Sequence, residues 1–461
     1  MKWRLLAAVS CVLLLSVLLL PGLSAPKNST PVLPPLAAFS SKGGSTIQIQ
    51  VNNAAGYCVA PSPDGNYLYI GGANWSNTDE PESWEPALWK YDSSGEQVWN
   101  TTLNTPGPKI SPAAPEGLIT GFLDVAVSPH GDYVYAVGQF RNESGSPNID
   151  AILVKFRASD GTLIWNFTLS EKVHDYLYAV TVSPDEETVY VSGALSKSGG
   201  INSFYVAAIN ASNGDLLWAY ELYEVSSGIS YDLALSPSGD VLYAVGKYVD
   251  TQLVALNTST GEHLWNLTTD TYWSIRSAKI SSDGDTIHAL AVDYSENYCY
   301  LTLSASDGSL LRNKTLDFAG YPYKFDTSSD DSKIYVTAHA LGNERPILMA
   351  EYIAVSGSLS GVIPASDRYT ASCDVAASGN NGGVYVVGYY ENNIAGEHYM
   401  FLLEGYAEPV SSSLGLYSAL LAYTMFSQFG ASTQMSYYLI AGAGVLVVAV
   451  VAAYFLKTKR P

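Results

Sequence analysis

Between Leu123 and Leu169 the chain alternates apolar and polar positions in four runs, LDVAV, YVYAVGQF, DAILVKF and TLIWNFTL. A period of two marks strands with one buried and one exposed face. A Ser-Pro-His-Gly turn at Ser128 to Gly131 separates the first pair, and a Ser-Asp-Gly turn at Ser159 to Gly161 the last. The stretch predicts a four-stranded antiparallel meander.

The same pattern returns along the chain. Its opening half recurs as YCVAPSPDGNYLYIGGA from Tyr57, AVTVSPDEETVYVSGA from Ala179, DLALSPSGDVLYAVGK from Asp232 and SAKISSDGDTIHALAV from Ser277, with weaker copies from Lys324 and Asp374. Its closing half recurs as ALWKYDSSGEQVWNTTL from Ala87, VAAINASNGDLLWAYEL from Val206, QLVALNTSTGEHLWNLT from Gln252 and YLTLSASDGSLLRNKTL from Tyr300. A period of roughly 40 to 65 residues is that of a propeller blade. The seventh copy stops after YMFLLEGY at Tyr399, one outer strand short, and SKGGSTIQIQV at Ser41 to Val51 has the alternation of an outer strand without an opening half of its own. Pairing the two removes an open edge. The expected fold is therefore all-β, a seven-bladed β-propeller of four-stranded antiparallel blades over 41–408, closed by the N-terminal strand and followed by a C-terminal transmembrane α-helix.

The closing half, with its turn Gly and following Leu-Trp or Ile-Trp, resembles the quinoprotein (PQQ-like) propeller repeat, and the opening Ser-Pro-Asp-Gly hairpin is similar to YVTN- and WD-type repeats. The resemblance spans the repeats and implies architecture. Quinoprotein dehydrogenases carry adjacent cysteines at their cofactor; this chain has none, so PQQ is not expected. Trp99, Trp165, Trp218 and Trp265 share one repeat position, where a large amphipathic ring serves packing.

Outside the repeats, Lys2 and Arg4 precede the apolar run Leu5 to Leu20 and small residues end at Ala25, the layout of a signal peptide over 1–25. A Pro-rich linker over 26–40 follows. Past the propeller, 409–436 is apolar but peppered with Ser, Thr and Gln, and reads as a juxtamembrane segment. Tyr437 to Leu456 is an uncharged run of about twenty residues, enough to cross a bilayer. The basic tail 457–461 (Lys457, Lys459, Arg460) then sets a cytoplasmic end. The expected placement is a single-pass type I protein with its propeller extracellular.

Nine N-x-Ser/Thr sequons agree with export: Asn28, Asn74, Asn100, Asn142, Asn166, Asn210, Asn257, Asn266 and Asn313. Asn100, Asn166, Asn266 and Asn313 share one site on the outermost strand, and Asn210 and Asn257 share the neighbouring turn. Of the four cysteines Cys11 leaves with the signal, and Cys58 and Cys373, in the first and last blades, are the pair placed to bridge the closure. The formal charge is −20 over the whole sequence. Without Lys2, Arg4, Lys457, Lys459 and Arg460, 18 of the 23 basic residues remain against 43 acidic ones, or −25 for the exported part. Such a surface repels nucleic acid.

The familiar catalytic motifs, G-x-S-x-G, H-E-x-x-H, the P-loop and the EF-hand loop, are absent from the sequence. One constellation survives alignment of the repeats. The position four residues before each turn Ser, expected to begin the innermost strand, reads Cys58, Asp124, Ala179, Asp232, Ser277, Lys324 and Asp374. Inner strands surround the channel, so Asp124, Asp232 and Asp374 either form a shared site for a hard cation such as Ca²⁺ or cap backbone N–H groups blade by blade. Two functions follow: a membrane-anchored, glycosylated surface module that binds or scaffolds a protein, glycan or matrix ligand, or an enzyme at the channel mouth, a quinoprotein-like oxidoreductase or a hydrolase. The missing nucleophile–base motif favours the first.

Overall fold

The computed structural model describes residues 48–409 apart from the segments 76–83, 104–119, 142–148, 171–173, 198–200, 223–227, 249–250, 317–320, 340–346, 355, 357, 365–369, 379–382, 393–396 and 406–407. The expected signal peptide, linker, membrane span and tail, and the expected juxtamembrane segment apart from Pro409, lie outside the described residues. No helix among the described residues is long and apolar enough to cross a membrane.

The described chain forms seven antiparallel sheets in a ring. Innermost strands are Ala54–Pro61, Gly121–Val127, Asp175–Val182, Ile229–Leu235, Tyr272–Ile280, Tyr321–Thr327 and Thr370–Ala377 for blades 1 to 7. Outermost strands are Gln97–Thr102, Leu163–Leu169, Leu216–Leu222, His263–Thr268, Leu310–Thr315 and Ser358–Pro364 for blades 1 to 6. Blade 7 takes its outermost strand from Gln48–Asn52, which pairs with Glu397–Gly405, Ile49 opposite Leu402 and Val51 opposite Met400. Ile49, Ala54, Val59, Val387, Met400 and Leu402 then form one buried cluster across the seam between blades 7 and 1. Blade 6 alone carries a fifth strand: Glu408–Pro409 pairs with Ser358–Pro364. Four strands per blade thus holds for the other six.

Strands buried on both faces, such as Trp84–Asp92 and Ile149–Arg157 third in their blades, make the sheets apolar on both sides, and the core is a set of clusters between neighbouring blades, such as Leu153, Leu177, Val191 and Tyr205 between blades 2 and 3. The Trp column pins these interfaces. Trp99, Trp165 and Trp218 donate Nε1–H to the carbonyls of Ala158, Ala211 and Thr258 in the next blade, at 3.1, 3.2 and 2.8 Å. Lys90 and Lys155 donate to the same Ala158 and Ala211 carbonyls at 2.9 and 2.8 Å, each ammonium lying 3.7 Å from a ring centroid, of Tyr67 and Tyr133.

The Cys58–Cys373 bridge expected from the sequence is not formed: both are free, buried thiols. Cys58 points toward blade 2, its Sγ 3.6 Å from the Phe122 carbonyl, whereas Cys373 packs with Ala55, Tyr57, Ala73 and Trp84. Neighbouring positions in a strand project to opposite faces, and the two sulfurs fall in different clusters.

Candidate functional site

An innermost strand has no partner on its channel side, so its outward N–H groups need acceptors from elsewhere. Each innermost strand also carries a bulge near its start, between Phe122 and Asp124 in blade 2, Leu177 and Ala179 in blade 3, Ser230 and Asp232 in blade 4, Ile275 and Ser277 in blade 5, and Ser372 and Asp374 in blade 7. The residue opposite is a glycine in most blades because nothing larger fits. A Cβ on Gly193 would lie 1.8 Å from the Tyr176 carbonyl oxygen, and one on Gly246 2.0 Å from that of Ile229. The bulge places Asp124, Asp232 and Asp374 inside their strands rather than at the first residue, as the sequence had suggested.

Their carboxylates reach the next blade. Asp124 Oδ2 accepts the Val180 N–H at 2.8 Å, Asp232 Oδ2 the Ala278 N–H at 3.1 Å and the Ser277 hydroxyl at 2.7 Å, and Asp374 Oδ2 the Val59 N–H at 2.9 Å across the closing seam. Asp326, outside the aligned column, does the same for Ala377 at 2.9 Å. Lys324 Nζ sits 3.0 Å from Asp232 Oδ1, and Lys279 Nζ lies 3.8 Å from Asp326 Oδ1. The chain itself supplies the cations among these carboxylates. Among the described residues no three His, Cys, Asp or Glu side chains are grouped as metal ligands.

The electrostatics divide the ring. Burial raises Asp124 and outweighs Lys324. Burial also pushes Asp232 up, but Lys324, Lys279 and the Ser277 hydroxyl together hold it below the usual carboxylate range. Asp374, without an ammonium in contact, is pushed up to about 7, chiefly by burial. Burial pulls Lys324 down, yet Asp232, Asp124 and Asp374 more than compensate and it stays charged.

One residue before each ring position lies a set of side chains that the sequence reading passed over. At the bulge stand Tyr178 of blade 3, Tyr231 of blade 4 and Arg276 of blade 5, the fourth, third and fifth residues of their innermost strands, between the carboxylate ring and the channel mouth at which those strands start. Tyr176 stacks on Tyr178 at 5.9 Å with a 9° interplanar angle, and Tyr178 meets Tyr231 at 6.2 Å. The Arg276 guanidinium lies 4.5 Å from the Tyr231 centroid and 5.2 Å from that of Trp273, and Lys247 Nζ is 4.7 Å from Trp273. His174 extends the row beyond Tyr176 at 6.3 Å. All seven side chains are half-buried. The signal was present in the repeat, since the column preceding Asp124 reads Tyr57, Leu123, Tyr178, Tyr231, Arg276, Tyr323 and Cys373.

The sequons distribute unevenly about this mouth. Asn100, Asn166, Asn266 and Asn313 are exposed on outermost strands. Asn210 and Asn257 lie at the opposite end, their side-chain oxygens accepting the N–H groups of Ser212 and Ser259. Asn74 closes the second strand of blade 1, Tyr67–Trp75; Asn28 and Asn142 lie outside the described residues.

A profile of the family described as outer membrane protein assembly factor BamB, a PQQ-like propeller repeat, matches residues 37–222 and, in a second overlapping placement, 85–292. A profile of the N-terminal B domain of herpesvirus envelope glycoprotein gp350 matches residues 300–452. Comparison with curated proteins finds no relative. Among solved structures the chain is similar to hydrazine synthase of Kuenenia stuttgartiensis, with a TM-score of 0.51 and 14% identity over 80% of this chain and 100% of that one. At that identity the likeness is one of fold.

Proposed function

The chain belongs to the PQQ-like propeller-repeat family described as outer membrane protein assembly factor BamB, and from that premise we propose that it is a membrane-anchored, N-glycosylated, extracellular propeller that acts as a binding or scaffold module and engages its ligand at the channel mouth over blades 3 to 5. The carrying observation is the contrast within that mouth. The carboxylates that a catalytic reading would recruit accept backbone N–H groups and ammonium ions of the fold itself, whereas the aromatic and cationic side chains beside them are half-exposed. Glycans on the outermost strands and the opposite turns would leave this sector clear. Anchoring rests on the uncharged run Tyr437 to Leu456 with its basic stop.

Protease added to intact cells that make the full chain should remove the propeller and spare the extreme C-terminus. A photo-crosslinking residue at position 178 should then capture a surface component that the same residue at position 311 on the rim does not. A propeller protected from protease overturns the topology, and equal capture at both positions overturns the mouth as the binding face.

A further inference from the structure

The row His174, Tyr176, Tyr178, Tyr231, Arg276, Trp273 and Lys247 crosses three blades without a break. Its chemistry differs from that of the molecule around it. The chain as a whole carries −20, yet this sector presents two cations, and neither Arg276 nor Lys247 belongs to any ion pair among the described residues. Both instead lie over aromatic rings. A guanidinium so held keeps N–H donors for a planar anion, in the fork geometry that matches a carboxylate. The large exposed aliphatic side chains lie elsewhere, Val98, Ile164, Leu217, Leu264 and Leu311 on the outermost strands. At the mouth the half-buried groups are amphipathic rings with polar tips.

We propose that this row is a subsite for an acidic saccharide: sugar rings lie against Tyr178, Tyr231 and Trp273, their hydroxyls meet the tyrosine and histidine tips, and Arg276 with Lys247 receives the carboxylate or sulfate. The proposal rests on the reading of the chain as a surface binding module and names its ligand. A protein ligand would ask for an apolar anchor pocket at the centre of the contact, and the row offers rings and charges instead. A nucleic acid would stack as well, but with a charge on every residue it meets the long-range repulsion of an acidic molecule in full, where a saccharide with a single acidic group meets little of it.

The full chain, purified in detergent, is applied to an array of uronate-, sialate- and sulfate-bearing oligosaccharides with their neutral counterparts, alongside acidic peptides. Retained saccharides are then titrated against Trp fluorescence. The expected result is retention of an acidic saccharide over its neutral counterpart, with affinity falling by about ten-fold or more in Arg276→Gln, as for loss of a charge-assisted hydrogen bond, and falling also in Trp273→Ala and in 0.5 M salt. If Trp273→Ala does not fold, Lys247→Gln carries the same test at the other cation of the row. Absence of any retained acidic saccharide overturns the proposal. So does binding that ignores both Arg276→Gln and Lys247→Gln, or retention of acidic peptides alone. Failure of the surface placement would register separately, in the protease experiment on intact cells.

Discussion

Asp374 is a carboxylate whose surroundings oppose its charge. Its ordinary value is 3.8, and burial lifts it to about 7, while the Val59 and Val375 N–H groups at 2.9 Å each favour the ionised form without overcoming desolvation. Between the ordinary carboxylate range and neutrality the folded chain therefore holds a proton that the unfolded chain has released. Stability from this group falls as pH rises through that window. Asp232 has the opposite sign, because Lys324 holds it below its ordinary value; its contribution is present at neutral pH and is lost in acid. Asp374→Asn keeps an oxygen for Val59 and removes the titration. In urea melts the wild type should lose stability between pH 5 and pH 8 relative to Asp374→Asn, and the variant should be the more stable of the two at pH 8. Parallel pH profiles would show that Asp374 ionises freely in the folded chain.

At the scale of the strand and turn, the Trp column acts through the glycine of the following blade. Gly214 has φ +80°, and a Cβ there would sit 3.0 Å from Trp165 Cε3. The left-handed backbone and the ring contact both select glycine, so Gly214→Ala should cost about 1–2 kcal/mol. In a Trp165→Ala background the same substitution should cost less, because the ring it meets is gone. Additive costs in chemical denaturation would mean that the ring gives way freely. The packing role of the column was legible in the sequence, since a Trp four residues after a turn Gly repeats in four blades; that the ring meets the turn Gly of the next blade was not, because the repeat says nothing of which blade a side chain leans toward. Closure was legible too: a seventh repeat lacking one strand and an N-terminal strand lacking its repeat require each other. The bulge was not. It adds a residue without altering the apolar pattern on either side, so the Asp column appeared to begin the strands, and the preceding column of Tyr178, Tyr231 and Arg276 escaped notice although it lies toward the mouth. The misplaced disulfide has a related cause, because a bulge changes which face a side chain takes, and adjacency of blades alone cannot orient two thiols. Nor did the sequence foretell Glu408–Pro409 on the edge of blade 6, a two-residue pairing too short to leave a period.

For the whole molecule, closing the ring removes the open ends of the array but leaves every blade except the sixth with an outermost strand whose far side has no partner in its own sheet. In blades 1, 2, 4 and 5 that strand carries an exposed aliphatic residue, Val98, Ile164, Leu264 or Leu311, at 46, 37, 47 and 60% exposure. Two residues further on stands an exposed sequon, Asn100, Asn166, Asn266 or Asn313. Blade 6 has no sequon there, and its edge pairs with Glu408–Pro409. Blade 3 has neither device: Leu216 and Leu217 are 49 and 51% exposed, and Ala219 takes the place of the asparagine. Glycans at the four sites would act as guards, since a bulky hydrated chain on an edge strand bars a second strand from pairing there. The quadruple Asn→Gln variant, made as the full chain in a glycosylating host, should therefore keep the wild-type melting temperature yet shift from one species to larger ones in light scattering after size exclusion. Adding Leu217→Thr at the unguarded blade 3 edge should change that distribution less than restoring Asn100 and Asn166 does. A quadruple variant that runs as the wild type does would mean that the edges are kept apart by the net negative charge of the molecule alone.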